Sequence, residues 1–156
     1  MRASGVLLHI TSLPSQSGVG TLADVNRFID FLRESKQQYW QLLPITPCDF
    51  VNSPYASPSA FAGNTLLIDA DELAAEGLID ENTLLRSKTA RGNDYGYAIY
   101  HKEIILREAF EAFNKRDPSK DYVEFCRANS FWLEDYSLFC ALKKHFGGKS
   151  WLEWDD

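Results

Sequence analysis

The sequence predicts an α/β fold that begins with parallel strands and continues into a helix-rich region. Two short apolar runs, Gly5–Ile10 and Tyr39–Ile45, flank a segment whose apolar residues recur at helical spacing. Strand, helix and strand in this order form the βαβ pattern, which makes the strands parallel and the crossover right-handed. From Ala98 onward, helical spacing dominates. We therefore divide the chain into residues 1–69, which carry the βαβ pattern, and residues 70–156, which are helix-rich.

The first three elements each have a local signal. The continuous apolar run Gly5–Ile10 is typical of a strand that is buried on both faces. Thr21 and Asp24 have the spacing of a capping box, which predicts that a helix begins there. The run Tyr39–Ile45 has the composition and length of a second buried strand.

Two loops follow the predicted strands, and we expect function to lie there. Parallel strands end at the same edge of a sheet, and ligands bind beyond these carboxyl ends. The first loop reads TSLPSQSGVG and the second reads TPCDFVNSPYASPSAFAGN. The second loop is long for a simple connection, which itself indicates function. His9 lies at the end of the first strand, where a structural hydrogen bond is favoured over catalysis.

The second half of the chain is predicted to form one short helix and three longer ones. The short helix covers Asp71–Glu76 and ends at Gly77, whereas residues 78–93 have no clear period. The three longer helices are predicted over Ala98–Lys115, Asp121–Asn129 and Phe131–Phe146.

Composition excludes several classes of protein. The 156 residues carry a net charge of −6, so no basic surface is available to neutralise the phosphates of a nucleic acid. No apolar run approaches the length of a membrane span, and the amino terminus lacks a signal-peptide pattern. Cys48, Cys126 and Cys140 lack the spacing of a metal site or a redox pair, so we expect reduced thiols in a cytoplasmic protein.

Several motifs together resemble a known family. SGVLLHITSLPS, GVGTL, WQLLPITP, NSPYASPSAFAGNTLLID and FWLEDYSLFCALKKHFGGKSWLEW occur in order between Arg2 and Trp154. As a set they resemble the N-terminal part of the amylomaltases, which are 4-alpha-glucanotransferases of glycoside hydrolase family 77. The resemblance implies the first strands of a (β/α)8 barrel in residues 1–69, with an active-site loop, and a helix-rich insertion in residues 70–156.

The resemblance also implies a chemistry. Such enzymes move a segment of an α-1,4-glucan (maltodextrins, or chains derived from starch or glycogen) to the 4-hydroxyl of another glucan. They retain the anomeric configuration through a carboxylate nucleophile and a covalent intermediate, and they need no metal and no cofactor. Their catalytic carboxylates come from later strands of the barrel. We find no motif that carries those carboxylates, so we expect no catalytic residue here and regard the chain as truncated.

The predicted substrate-binding residues lie in the second loop. An aromatic ring with a phenolic hydroxyl suits a sugar, and the resemblance assigns to Tyr55 the stacking on the sugar at the reaction centre. Pro54 fixes the backbone before it. Ser53 and Asn64 either bond sugar hydroxyls or hold their own turns, and the second interpretation is favoured. Phe50 matches an aromatic residue that lies at a more distant glucan-binding groove in some relatives. Because phenylalanine lacks a hydroxyl, the role expected of Phe50 is stacking only.

Two alternatives remain open from the sequence. The chain is a non-catalytic α-glucan-binding protein derived from the same family, or it is a helical scaffold whose aromatics only form a core. Transfer activity on maltotriose and glucan-induced changes at the aromatic rings discriminate among these possibilities.

Overall fold

The computed structural model describes residues 2–48 and 52–154. The elements are, in chain order, strand β1 (Gly5–Leu7), helix α1 (Val25–Glu34), strand β2 (Tyr39–Gln41), and helices α2 (Ala70–Ala75), α3 (Glu81–Arg86), α4 (Tyr95–Phe113), α5 (Lys120–Ala128) and α6 (Ser130–His145). Single 3-10 turns cover Ile10–Ser12, Leu22–Asp24, Thr65–Leu67 and Trp151–Glu153. None of these described helices combines the length and the apolar character needed to cross a membrane.

The two strands are parallel neighbours, which confirms the βαβ prediction. Val6 pairs with Trp40 in the centre of the ladder. Both strands are shorter than predicted, because polar and proline residues end the pairing. On the first strand, the side chain of His9 caps a 3-10 turn. On the second, Pro44 has no N–H to donate to a ladder.

The prediction that the first strand is buried on both faces is wrong for the part of the chain that the structure describes. Leu7 is 58% exposed and Tyr39 is 66% exposed. One face packs on α1, where the rings of Phe28 and Trp40 lie 4.7 Å apart. A parallel sheet is normally covered on both faces. Only one face of this sheet is covered by the described residues.

The capping box predicted at Thr21 forms, but it opens the 3-10 turn Leu22–Asp24, and α1 continues from that turn at Val25. The backbone N–H of Thr21 donates to Oδ2 of Asp24 at 2.9 Å, as in a capping box. The hydroxyl of Thr21 also donates to Oδ2 of Asp69 at 2.7 Å. This bond ties the start of the first helix to the chain segment just before α2.

Helices α2, α3 and α4 pack around a small apolar core of Ala70, Ile79, Ile105 and Ala109. Helix α2 lies one residue earlier than predicted, because the Asp69 side chain caps it by accepting from Asp71 N at 2.8 Å. Helix α3 falls in residues 78–93, where no helix was predicted. Its sequence signal was the cap, since Asp80 Oδ1 accepts from Thr83 N at 2.7 Å.

The chain forms two compact units, Met1–Arg116 and Asp117–Asp156. The second unit contains α5 and α6, and no residue in its described part is fully buried. Along α6, the rings of Trp132 and Tyr136 lie 6.2 Å apart. The division into a barrel segment, residues 1–69, and a helix-rich insertion, residues 70–156, stays a prediction.

Two glycines fix the loop between β1 and α1 against the start of α4. Gly18 has a φ of +87°, which favours glycine, and its carbonyl accepts from Asp94 N at 2.8 Å. A Cβ at Gly20 would lie 2.2 Å from the carbonyl oxygen of Ile10. Val19, between the two glycines, is buried. The glycines therefore allow the loop backbone to lie close to Asp94 and to Ile10.

Lys102 on α4 is a buried cation. It is 5% exposed, and its ammonium donates to the carbonyl of Ile68. Loss of hydration lowers the pKa of Lys102, and the carboxylate of Asp69 opposes this effect. The charged form of this lysine is therefore less favourable in the folded state than in the unfolded chain.

We predict that Gly20→Ala lowers the free energy of unfolding by about 1–3 kcal/mol, because a methyl group cannot fit against the Ile10 carbonyl. Gly63→Ala is the matched control, since a Cβ there meets nothing within 4 Å. Urea unfolding of the variants measures both changes. Equal stability of the two variants would contradict the close approach.

We also predict a pH dependence of stability that belongs to Lys102. Its folded-state pKa is lowered, so between that value and the unfolded value of about 10.4 the unfolded chain binds more protons. The free energy of unfolding therefore rises with pH in this interval. In Lys102→Met this contribution is absent. Urea unfolding of both proteins across the interval measures the difference, and parallel pH profiles would refute the assignment.

Candidate functional site

The long loop after β2 is closed at its neck. The backbone N–H of Asn64 donates to the carbonyl of Ile45 at 2.9 Å, so the loop leaves and re-enters at one place. The buried side chain of Asn64 accepts from Leu66 N at 3.0 Å through Oδ1 and donates to Cys48 Sγ at 3.6 Å through Nδ2. Asn64 therefore caps the following 3-10 turn and contacts the start of the loop. The two ends of the loop are therefore in contact.

A tight turn presents Tyr55. The N–H of Ala56 donates to the carbonyl of Ser53 at 3.2 Å, which closes a four-residue β-turn with proline in its second position. Tyr55 N also lies 3.4 Å from Oγ of Ser53. The tyrosine is 75% exposed. Its ring is thus displayed to solvent and lies under no helix of the described chain.

A small cleft lies at the carboxyl ends of both strands. Its volume is about 140 Å³, below the roughly 300 Å³ at which ligand pockets usually begin. The cleft therefore admits part of a ligand. It is lined by His9, Thr11, Ser12, Leu43, Cys48, Asn52, Pro54, Asn64 and Tyr95.

The structure brings only some of the predicted site residues to this cleft. Pro54 and Asn64 line it, and Tyr55 follows Pro54 directly in the chain. Ser53 lies in the same turn, but the cleft lining does not include it. Phe50 lies outside the described residues. The local contacts of Ser53 and Asn64 agree with their interpretation as turn-makers, and sugar binding by either stays a prediction.

His9 has a structural hydrogen-bonding role at the floor of the cleft. Nε2 lies 3.1 Å from the carbonyl oxygen of Pro44, which can only accept, so Nε2 carries the hydrogen. Nδ1 accepts from the Thr11 backbone N–H, which can only donate, at 3.3 Å, and it lies 2.7 Å from Thr11 Oγ1. The ring therefore joins the end of β1 to the chain after β2.

Two residues of the cleft were missed from the sequence. Thr11 is buried, and its Oγ1 lies 2.6 Å from the hydroxyl of Tyr95, the first residue of α4. The signal for Tyr95 was weak: Asp94 before it caps the helix, but nothing local connects Tyr95 to a residue 84 positions away.

A second, larger cleft of about 560 Å³ lies beside the first loop and is polar. Its acidic residues already have structural partners: Asp24 and Asp69 serve as helix caps, and Asp71 forms an ion pair with Lys88. Across residues 2–48 and 52–154, no group of three His, Cys, Asp or Glu side chains is arranged to hold a metal ion.

Comparisons with known proteins agree with this geometry. A family model described as 4-alpha-glucanotransferase matches residues 8–156. A 4-alpha-glucanotransferase from Synechocystis is 44% identical over 99% of this chain and 32% of its own length. One from Thermus thermophilus is 42% identical over 98% of this chain and 31% of its own length. The chain thus spans about a third of the length of these curated relatives.

A solved structure is also similar over the whole chain. It is the amylomaltase from Streptococcus agalactiae in complex with acarbose, with a TM-score of 0.89 and 40% identity. The match covers 100% of this chain and 32% of that one. This chain is therefore similar to that amylomaltase in both sequence and fold.

Proposed function

Because this chain belongs to the 4-alpha-glucanotransferase family, we propose that it forms the glucan-binding wall of an enzyme that transfers α-1,4-glucan segments between glucans. The donor and acceptor are α-1,4-glucans such as maltodextrins. The family match supports the proposed activity, and the loop that presents Tyr55 supports the proposed glucan-binding role of this segment. Among the described residues, Cys48, Cys126 and Cys140 are not joined in disulfides, in keeping with the reducing cytoplasm that we propose as the compartment.

We propose that residues 1–69 supply the first βαβ units of a (β/α)8 barrel. The parallel pairing of β1 with β2 and the loop clusters at their carboxyl ends support this assignment. Residues 70–156 form a helix-rich insertion in this proposal. The uncovered face of the two-stranded sheet is the face that further strands of a barrel would enclose.

The proposed reaction retains the anomeric configuration. A carboxylate attacks the anomeric carbon while a carboxylic acid protonates the departing glycosidic oxygen, which gives a covalent glycosyl ester. The 4-hydroxyl of the acceptor glucan then attacks that carbon, loses its proton to the acid's conjugate base and releases the carboxylate. We assign both carboxylates to polypeptide outside this chain, because the described residues that line the cleft beside Tyr55 include no Asp or Glu. The acidic residues of the larger cleft, Asp24, Asp69 and Asp71, already have structural partners.

The observation that carries the proposal is the exposure of Tyr55 in a clamped turn beside the cleft. The flat apolar faces of glucose pack against aromatic rings, and a ring held by a short turn loses little freedom on binding. Pro54 restricts the turn, Asn64 lines the cleft beside it, and Ser53 lies in the same turn. We propose that Phe50 stacks on a glucan at a more distant position.

The binding-only alternative is not favoured. The relatives compared above are all 4-alpha-glucanotransferases, and they match nearly the full chain. The scaffold alternative requires that the aromatic residues form a core. Tyr55 does not fit it, because this ring is largely exposed.

We predict that Tyr55→Ala weakens binding of acarbose to this chain about tenfold, equivalent to roughly 1.4 kcal/mol, because the stacking surface is lost. Tyr55→Phe keeps most of the affinity, since the ring face remains. Tyr39→Ala is the control: this tyrosine is similarly exposed but begins β2, at the opposite end of the strand. Titration followed by NMR of the aromatic rings measures all three.

Equal affinity of Tyr55→Ala and the unchanged protein would contradict the stacking role. In the same samples, maltotriose should stay unconverted. Formation of glucose and longer maltodextrins would contradict the assignment of the reacting carboxylates to other polypeptide.

A further inference from the structure

We propose that Tyr95 is a positioning residue: a chain of hydrogen bonds from its hydroxyl holds the neck of the loop that carries Tyr55. The hydroxyl lies 2.6 Å from Thr11 Oγ1, which lies 2.7 Å from Nδ1 of His9. Nε2 of His9 lies 3.1 Å from the carbonyl of Pro44. Three bonds thus join the first residue of α4 to the chain just before the loop.

The direction of every bond in this chain is determined. The Pro44 carbonyl only accepts, so His9 donates through Nε2, and the Thr11 backbone N–H only donates, so His9 accepts through Nδ1. The Thr11 hydroxyl must then give its single hydrogen to Nδ1. The Tyr95 hydroxyl is left to donate to Thr11 Oγ1. Each member holds its neighbour in one orientation, because reversing a bond would set two lone pairs or two hydrogens against each other.

Burial makes the chain of bonds rigid. His9 and Thr11 are both buried, so water does not readily replace a missing partner. Bonds in such a chain polarise one another, so the loss of the first donor weakens the next bonds as well. The effect of Tyr95 therefore extends beyond its contact with Thr11.

The chain ends at the loop neck. Pro44 directly precedes Ile45, whose carbonyl accepts from Asn64 N at 2.9 Å and closes the loop. Fixing the Pro44 carbonyl fixes the peptide plane that leads into Ile45. The Tyr95 hydroxyl contacts Thr11 and acts on the loop only through His9 and the Pro44 carbonyl. The consequence for sugar binding rests on the function proposed above, whereas the coupling to the loop neck does not.

Tyr95→Phe tests the coupling, and Tyr97→Phe is the matched control. Tyr97 lies two residues after Tyr95 in α4 and does not line the cleft. Its hydroxyl forms hydrogen bonds with the Thr89 hydroxyl and the Arg86 carbonyl. The readouts on the 156-residue chain are hydrogen exchange at the Asn64 amide, the ring ¹⁵N shifts of His9 and the affinity for acarbose. Urea unfolding of each variant records its general stability.

We expect Tyr95→Phe to speed exchange at the Asn64 amide by about three- to tenfold and to weaken acarbose binding, whereas Tyr97→Phe changes neither. The His9 signals should show hydrogen on Nε2 in the unchanged protein and altered shifts in Tyr95→Phe. Thr11→Val should reproduce the faster exchange, and Thr11→Ser, which keeps the hydroxyl, should restore slow exchange.

The inference is overturned if Tyr95→Phe leaves exchange at Asn64 unchanged, or if both Tyr→Phe variants alter it equally. If acarbose binds to no variant while exchange responds only to Tyr95→Phe and Thr11→Val, the coupling stands and the glucan proposal fails. If acarbose binds but exchange at the Asn64 amide does not respond to Tyr95→Phe, the glucan proposal stands and the coupling fails.

Discussion

The hydrogen bond between Asn64 N–H and the Ile45 carbonyl is the constraint on which the site depends. It closes a long loop, and the entropic cost of closure grows only slowly with loop length. His9 holds the peptide just before the neck, and the Asn64 side chain holds the turn just after it. With both ends fixed, the loop can project an aromatic ring into solvent at the ends of the strands without burying it in a core.

The same arrangement gives the loop residues different parts in the proposed recognition of a glucan. The polar atoms of Ser53 and Asn64 largely serve the turns in which they lie. Pro54 and the β-turn restrict the backbone, and the face of Tyr55 stays exposed. Recognition by a ring that is positioned before binding loses less entropy than recognition by a mobile side chain. The geometry thus favours stacking over a network of polar contacts from this segment.

The elements with local signals could be predicted from the sequence. The capping pair Thr21 and Asp24, the parallel strand order and the long helices all follow from spacing along the chain. The strands proved shorter because pairing ends near His9 and Pro44, which a run of apolar residues does not reveal. Helix α3 has six residues, too few for a clear period. The bond between Thr11 and Tyr95 depends on the assembled fold, since 84 positions separate the two residues.

The central claim is that the ring of Tyr55 lies against a sugar, and intermolecular NOEs between its ring protons and acarbose test it most directly. With the chain saturated by acarbose, the account predicts NOEs from the Tyr55 ring to protons on one face of a sugar ring. NOEs confined to other aromatic residues, or their absence at saturation, would contradict it.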